Sequence, residues 1–65
     1  MRGNVSDDLG EDVQRALAER GFYHGAVDGE IGPASRAAIR AYQNKHGLEP
    51  TGRIDGTLLR SLRIE

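Results

Sequence analysis

The fold is decided by residues 21–32, which read Gly-Phe-Tyr-His-Gly-Ala-Val-Asp-Gly-Glu-Ile-Gly. Four glycines and an Asp-Gly pair within so short a span predict turns instead of regular structure. The segment nevertheless carries three large apolar side chains, those of Phe22, Val27 and Ile31, which need burial. We therefore expect an ordered loop folded onto a core, with Phe22 and Val27 pointing inward.

A helical pattern precedes this loop. Leu9, Val13, Ala16 and Leu17 recur with the spacing of one helix face. Negative charge is favoured near the start of a helix by the exposed N–H groups and the helix dipole. The acidic residues that crowd this start are Asp7, Asp8, Glu11 and Asp12. With Gly21 suited to the left-handed position after a helix end, the sequence predicts a first helix over residues 9–20.

Two further helices are predicted after the loop. Pro33 is pre-set for the first position of a helix, and the pair His46-Gly47 suits its end. A short third helix follows Asp55, whose side chain can cap its first turn. The apolar face of this third helix consists of Leu58, Leu59 and Leu62.

The two loops resemble each other in sequence. Residues 28–32 and residues 51–55 each combine a polar residue, a glycine and, two residues later, an isoleucine, before a helix begins. Ile31 and Ile54 are placed to fill the core at equivalent points. The predicted fold is therefore all-α, a small three-helix bundle with two related structured loops that form a pseudo-repeat.

Length and composition exclude several classes of protein. The chain has 65 residues and no cysteine, so a small core must suffice without disulfides or a thiolate zinc site. No apolar run approaches the ~20 residues of a membrane span, and the start lacks the apolar stretch of a signal peptide. We expect residues 1–8 to be a flexible or partly ordered extension, residues 9–62 the domain, and residues 63–65 a frayed end.

The charges are distributed unevenly. Residues 1–35 carry three basic and seven acidic side chains, net −4, whereas residues 36–65 carry six basic and three acidic ones, net +3. The overall charge of −1 argues against a generic nucleic-acid binder. Two interpretations stay open: helix-end electrostatics within one bundle, or a basic face for an anionic partner.

Several ordered blocks of sequence resemble one known family. They are residues 13–17 (Val-Gln-Arg-Ala-Leu), 21–35, 38–43 (Ala-Ile-Arg-Ala-Tyr-Gln), 47–48 (Gly-Leu) and 51–55 (Thr-Gly-Arg-Ile-Asp). In content and spacing they resemble the three-helix peptidoglycan-binding domain family, and the match covers nearly the whole chain from Leu9 to Leu62. In two departures from the family pattern, Tyr42 replaces the usual phenylalanine and Leu58 a frequent threonine.

The resemblance implies a function and a location. Such domains are commonly attached to bacterial cell-wall hydrolases, amidases and transpeptidases, where they bind peptidoglycan without catalysing a reaction. For this chain the resemblance implies a monomeric binding module that acts outside the cytoplasmic membrane. Its ligand would be peptidoglycan or muropeptide, and its partner an attached cell-wall enzyme. No cofactor is expected.

Six residues are candidates for ligand contact. With Phe22 pointing inward, we expect Tyr23 and His24 to face outward, where a tyrosine gives a flat contact surface with a polar tip. Arg36 and Arg40 lie one turn apart and could meet the carboxylates of a muropeptide stem or an anionic wall polymer. The other two candidates are Asp28, whose alternative is an Asx turn, and Gln43, which could instead tie its helix to a loop.

The sequence lacks the motifs that catalysis or metal binding would require. No nucleophile motif surrounds Ser6, Ser35 or Ser61, and the two histidines have no zinc-site spacing. The string at 28–31 lacks the earlier oxygen ligands of a calcium loop, because His24 and Ala26 stand there. Two other functions are possible. One is a protein-interaction domain that kept the fold. The other is a helix-turn-helix DNA binder, although the connection from Gly47 to Asp55 is longer than the short turn of that motif.

Overall fold

A computed structural model describes the backbone of residues 5–64 and the side chains of residues 9–64. Within this range the chain forms three α-helices and no strand: α1 (Val5–Glu19), α2 (Pro33–Lys45) and α3 (Gly56–Leu62). Loop 1, residues 20–32, joins α1 to α2, and loop 2, residues 46–55, joins α2 to α3. The predicted all-α three-helix bundle is confirmed, while the pseudo-repeat stays a prediction.

The first helix is longer at its start than the apolar spacing predicts. It begins at Val5, one turn before Leu9, so that part of the predicted extension 1–8 is helical, and residues 1–4 lie outside the described range. Apolar periodicity cannot register this first turn, because residues 6–8 are all polar. The helix ends at Glu19, and the Ala16 carbonyl of its last turn accepts both the backbone N–H of Arg20 at 3.2 Å and the guanidinium of the same residue at 3.1 Å.

All three helices end in the same hydrogen-bonding arrangement. A left-handed residue follows each helix, at Gly21 (φ 85°), Gly47 (φ 71°) and Arg63 (φ 66°). The next residue then donates its N–H to a carbonyl five positions back: Phe22 to Leu17, Leu48 to Gln43, and Ile64 to Leu59. This is the Schellman motif, which turns the apolar residue after the helix onto the core. Phe22, Leu48 and Ile64 all pack there, half-buried.

The starts of α2 and α3 agree with the predictions. Pro33 occupies the first turn of α2, and its missing N–H is one that has no partner within a helix. Asp55 caps α3, its carboxylate accepting the N–H of Leu58 at 2.9 Å. Loop 2, at ten residues, exceeds the three- or four-residue turn of a helix-turn-helix motif. The predicted fraying of residues 63–65 stays a prediction, since Glu65 lies outside the described residues.

The core lies where α1 meets α2 and α3. Its buried apolar side chains are Val13, Ala16, Leu17, Tyr23, Ala38, Ile39, Tyr42, Leu58 and Leu62. Ile31 and Ile54, the isoleucines of the two loops, are half-buried against this core.

Tyr42 occupies the centre of the core and is 1% exposed. Its ring meets Phe22 edge-on with centroids 5.4 Å apart, and the His46 ring lies over it at 4.1 Å, tilted by 33°. The hydroxyl that distinguishes this residue from the usual phenylalanine of the family lies 2.6 Å from the Ser61 hydroxyl of α3. The departure from the family pattern is therefore compensated by a hydrogen bond between α2 and α3.

Two expectations about loop 1 are wrong. Val27 is exposed, at 37% of its surface, and does not enter the core. Tyr23, expected to face outward, is buried at 7% exposure. The outward position expected for Tyr23 assumes inside/outside alternation, which holds only where backbone dihedrals repeat, and the chain turns at Gly21, where φ is +85°. The inward position expected for Val27 rests on its apolar character alone, and a single apolar side chain can remain exposed.

Candidate functional site

Loop 1 is held in place by the side chain of Gln14, which is fully buried in α1. Its carbonyl oxygen accepts two successive backbone N–H groups, from Asp28 at 3.0 Å and from Gly29 at 2.8 Å. Its amide nitrogen has two hydrogens and lies closest to the Glu30 carbonyl at 2.8 Å and the Ser35 hydroxyl at 2.9 Å. One glutamine thus fixes three consecutive residues of the loop and the first turn of α2.

Asp28 forms a turn within this loop. Its carboxylate accepts the N–H of Glu30 at 2.9 Å, the Asx turn that the sequence offered as the alternative to a ligand role. This hydrogen bond, with a weaker one from the Gln14 amide, lowers the pKa of the Asp28 carboxyl below its ordinary value of 3.8. The side chain is exposed, but its oxygen already holds the turn.

Tyr23 takes part in the hydrogen bonds that hold loop 1, and His24 does not. The Tyr23 hydroxyl donates to the Ala26 carbonyl at 2.6 Å, and a Cβ at Gly25 would lie 2.7 Å from that hydroxyl oxygen. The ring therefore lies beneath the loop, and Gly25 must lack a side chain to allow it. His24 is exposed, as predicted.

Gln43 holds loop 2 as Gln14 holds loop 1. It is 2% exposed, its carbonyl oxygen accepts the N–H of Gly52 at 2.9 Å, and its amide donates to the Thr51 hydroxyl at 3.2 Å. Of the two roles open to Gln43, the structure shows the tie between helix and loop. The pairing is analogous to Gln14 with Gly29, since Gly29 and Gly52 both adopt left-handed φ values, +83° and +73°.

Arg36 and Arg40 lie exposed on α2 beside loop 2. The Arg40 side chain runs across Gly52, so closely that a Cβ there would lie 2.8 Å from Nη1 and 3.2 Å from Cγ of Arg40. The carbonyl oxygen of Arg36 lies 3.6 Å from the same point. Arg53 follows Gly52 directly and is exposed as well, which brings three arginines to one part of the surface.

The six predicted residues therefore fall into two groups. Tyr23 and Asp28 gather around Gln14, whereas Arg36, Arg40 and Gln43 gather around Gly52, and His24 makes no side-chain hydrogen bond among the described residues. Sequence analysis missed Arg53 as a member of the second group. The signal was present in the Thr-Gly-Arg order of residues 51–53, because the left-handed glycine sets the position of the arginine after it.

The hydroxyls of both described serines are engaged in hydrogen bonds. Ser35 is buried at 2% exposure beneath Gln14, and Ser61 is paired with Tyr42. Among the side chains of residues 9–64 no three histidine or acidic groups lie close enough together to hold a metal ion, and no pocket opens on that part of the chain. None of its helices has the length and apolar character to cross a membrane.

Comparison with known proteins decides the family. A family model described as "Putative peptidoglycan binding domain" matches residues 6–62. The chain belongs to the peptidoglycan-binding domain family. The match takes in all three helices and both loops, including the Gln14 and Gln43 ties.

Curated relatives of this peptidoglycan-binding domain are much longer proteins. The chain is 47% identical over 52 residues to "Localization factor PodJL" of Caulobacter vibrioides, covering 80% of this chain and 5% of that protein. It is 47% identical over 53 residues to "Putative OxPP cycle protein OpcA" of Synechococcus elongatus, covering 82% and 12%. It is 41% identical over 56 residues to "N-acetylmuramoyl-L-alanine amidase CwlM" of Mycobacterium tuberculosis, covering 82% and 14%. No solved structure matches.

Proposed function

We propose that this chain is a non-catalytic peptidoglycan-binding module that holds an attached or partner enzyme at the bacterial cell wall. The observation that carries the proposal is the family match over residues 6–62. The similarity to an amidase of which this chain spans only 14% supports a modular role, in which catalysis belongs to another part of the protein. The site of action is then extracytoplasmic, in the periplasm or the wall, and the module acts as a monomer.

The arrangement of side chains supports binding over catalysis. The side chains of both glutamines hydrogen-bond to the loops, the two described serines form hydrogen bonds inside the fold, and the Asp28 carboxylate closes a turn. Exposed side chains are what remain for contact, chiefly His24 and the arginines beside loop 2. A small open surface of this kind gives modest affinity, which tethering to an enzyme offsets by raising the local concentration of wall polymer.

Sedimentation with insoluble peptidoglycan sacculi tests this proposal. The 65-residue chain is mixed with purified sacculi, and the bound fraction is compared with that of an unrelated folded protein of the same net charge. We expect saturable enrichment of the chain in the pellet. Enrichment no greater than that of the charge-matched protein would contradict the proposal.

A second function, docking onto another protein, is favoured by two of the relatives. The names of the Caulobacter and Synechococcus proteins, a localization factor and an OxPP cycle protein, do not describe wall enzymes. A domain that kept the fold could bind a protein in such settings. A folded chain that fails to sediment with sacculi would favour this alternative. No observation favours DNA binding, and we propose no nucleic-acid partner.

A further inference from the structure

We propose that Arg36, Arg40 and Arg53, here called the arginine cluster, bind the free carboxylates of the peptide stems of peptidoglycan. The inference rests on the proposed wall-binding function and names the part of the polymer that the surface recognises. The peptide stems carry free carboxylates, whereas the acetylated amino sugars of the glycan strand carry no charge in peptide-linked form. The cluster therefore distinguishes the stem from the strand by charge.

The geometry brings the three side chains together from two elements. Arg36 and Arg40 are four residues apart on α2, which places them about 40° apart around the helix axis, on one face. Arg40 runs across Gly52 in loop 2, and Arg53 is the next residue of that loop. All three arginines are exposed, so their guanidinium groups are accessible to a ligand.

Hydrogen bonds hold the backbone of loop 2 in place around Arg53. The Gly52 N–H donates to Gln43 at 2.9 Å, and the Thr51 hydroxyl accepts both the Gln43 amide and the Arg53 N–H, each at 3.2 Å. The backbone of the cluster is thus fixed by a buried glutamine before any ligand binds. A ligand that binds a pre-ordered surface loses less free energy to ordering the protein.

The charge of the cluster fits an acidic partner. The ion pairs found within residues 9–64 are those of Arg15 with Asp12 and Glu11 on α1, far along the chain from the cluster. Like charges held on one surface repel one another, and an anion bound among them relieves that repulsion. Guanidinium groups match carboxylates in shape and can bind them with two parallel hydrogen bonds, which a lysine cannot do.

Two variants and one control separate the cluster from general positive charge. Arg36→Gln/Arg53→Gln removes two exposed guanidinium groups that make no side-chain hydrogen bond or ion pair among the described residues. Arg40→Gln removes the one that packs over Gly52. Lys45→Gln is the control, because Lys45 lies about 180° around α2 from Arg36, at ~100° per residue. Thermal unfolding of each variant confirms that it is folded before binding is measured.

The experiment measures binding of these chains to three preparations of sacculi: intact, stripped of anionic wall polymers, and stripped and then treated with a carbodiimide and excess ammonia, which converts the free stem carboxylates to neutral amides. We expect the wild-type chain and Lys45→Gln to bind intact and polymer-stripped sacculi alike. We expect binding to fall about tenfold when the stem carboxylates are neutralised, and about three- to tenfold for each cluster variant, as for exposed charge-assisted hydrogen bonds.

Three other results would each overturn the inference for a different reason. Wild-type binding that survives neutralisation of the stem carboxylates, or cluster variants that bind as well as Lys45→Gln, overturns this inference and leaves the wall-binding function standing. Loss of binding when anionic polymers are stripped overturns it in favour of phosphate as the ligand. A wild-type chain that does not bind intact sacculi overturns both proposals.

Discussion

Gly10 of α1 faces the carbonyl oxygen of Gly29 in loop 1 so closely that a Cβ on Gly10 would lie 2.7 Å from that oxygen. Both partners are backbone, so neither can turn aside. The close approach places α1 against the segment of loop 1 that Gln14 holds, since Gly29 donates its N–H to the Gln14 carbonyl oxygen at 2.8 Å. A glycine inside a helix, ordinarily unfavourable, is required here by packing.

Gly10→Ala therefore lowers stability, although the same change in an open helix raises it by about 0.5–1 kcal/mol. The clash with the Gly29 carbonyl costs about 1–3 kcal/mol, as in overpacked cores, and outweighs the gain. Thermal unfolding followed by circular dichroism at 222 nm measures the difference. The matched control is Gly56→Ala in α3, where the new Cβ meets only the mobile end of Arg60 at 3.6 Å. An increase in stability for Gly10→Ala would contradict this account of the contact.

Gln14→Leu releases loop 1. The change removes the acceptor for two N–H groups and the donor to Glu30, and each buried polar group left without a partner costs about 1–3 kcal/mol. We expect the amide protons of Asp28 and Gly29 to exchange with solvent much faster. The exchange rates of the Gly52 and Arg53 amides in loop 2 serve as the internal control. Equal acceleration in both loops would indicate global unfolding, and unchanged rates at Asp28 and Gly29 would refute the role of Gln14.

Tyr42 and Ser61 are energetically coupled. Their hydroxyls lie 2.6 Å apart within a part-buried environment, so Tyr42→Phe loses one hydrogen bond, worth about 0.5–1.5 kcal/mol. Ser61→Ala costs at least as much, because it leaves the buried Tyr42 hydroxyl without its partner. The double variant should be more stable than the sum of the two losses predicts, with a coupling energy of about 1 kcal/mol in a double-mutant cycle measured by urea denaturation. Strict additivity of the two changes would contradict the hydrogen bond.

Arg63→Gly stabilises the end of α3. Arg63 occupies the left-handed position of its Schellman motif with φ 66°, where the motifs after α1 and α2 both have glycine. A side chain in that conformation costs about 1–2 kcal/mol, and glycine removes most of this cost. The converse change, Gly47→Ala, should cost a similar amount, since its Cβ would meet nothing within 4 Å and only the backbone conformation is at issue. Both are measured by urea denaturation, and changes of the same sign would contradict the argument.

Asp28 makes stability depend on pH. The Glu30 N–H lowers the pKa of this carboxyl in the folded state below 3.8, so the ionised form stabilises the fold above the unfolded-state pKa. That contribution is lost as the pH falls through the folded-state value. We expect melting temperatures measured between pH 2 and pH 7 to decline in acid less steeply for Asp28→Asn, whose amide oxygen can still accept the N–H but does not titrate. Identical pH profiles for both proteins would contradict the turn's dependence on charge.

Helix ends and starts were predictable because they depend on local chemistry. Gly21, Pro33, Gly47 and Asp55 each act within a few residues of their own position, and the structure places all four as predicted. The first turn of α1 was missed because it consists of polar residues, which leave no apolar period to follow.

The candidate site was less predictable because it depends on contacts between distant residues. The burial of Tyr23 requires Gly25 beside it and the Ala26 carbonyl as acceptor, and no periodic pattern encodes that arrangement. The arginines of the cluster come from α2 and from loop 2. These two elements meet at Gly52, which Arg40 crosses and whose N–H donates to Gln43. Sequence spacing could pair Arg36 with Arg40 on one helix face, but only the folded chain adds Arg53.

The most direct test of the central claim, that this domain binds peptidoglycan, is an NMR titration of the isotopically labelled 65-residue chain with a soluble muropeptide carrying its peptide stem. We expect saturable chemical-shift changes gathered on the backbone amides of Arg36, Arg40, Gly52 and Arg53. The buried core around Leu17 and Ile39 should not respond. A folded chain whose spectrum stays unchanged up to millimolar muropeptide would contradict the claim.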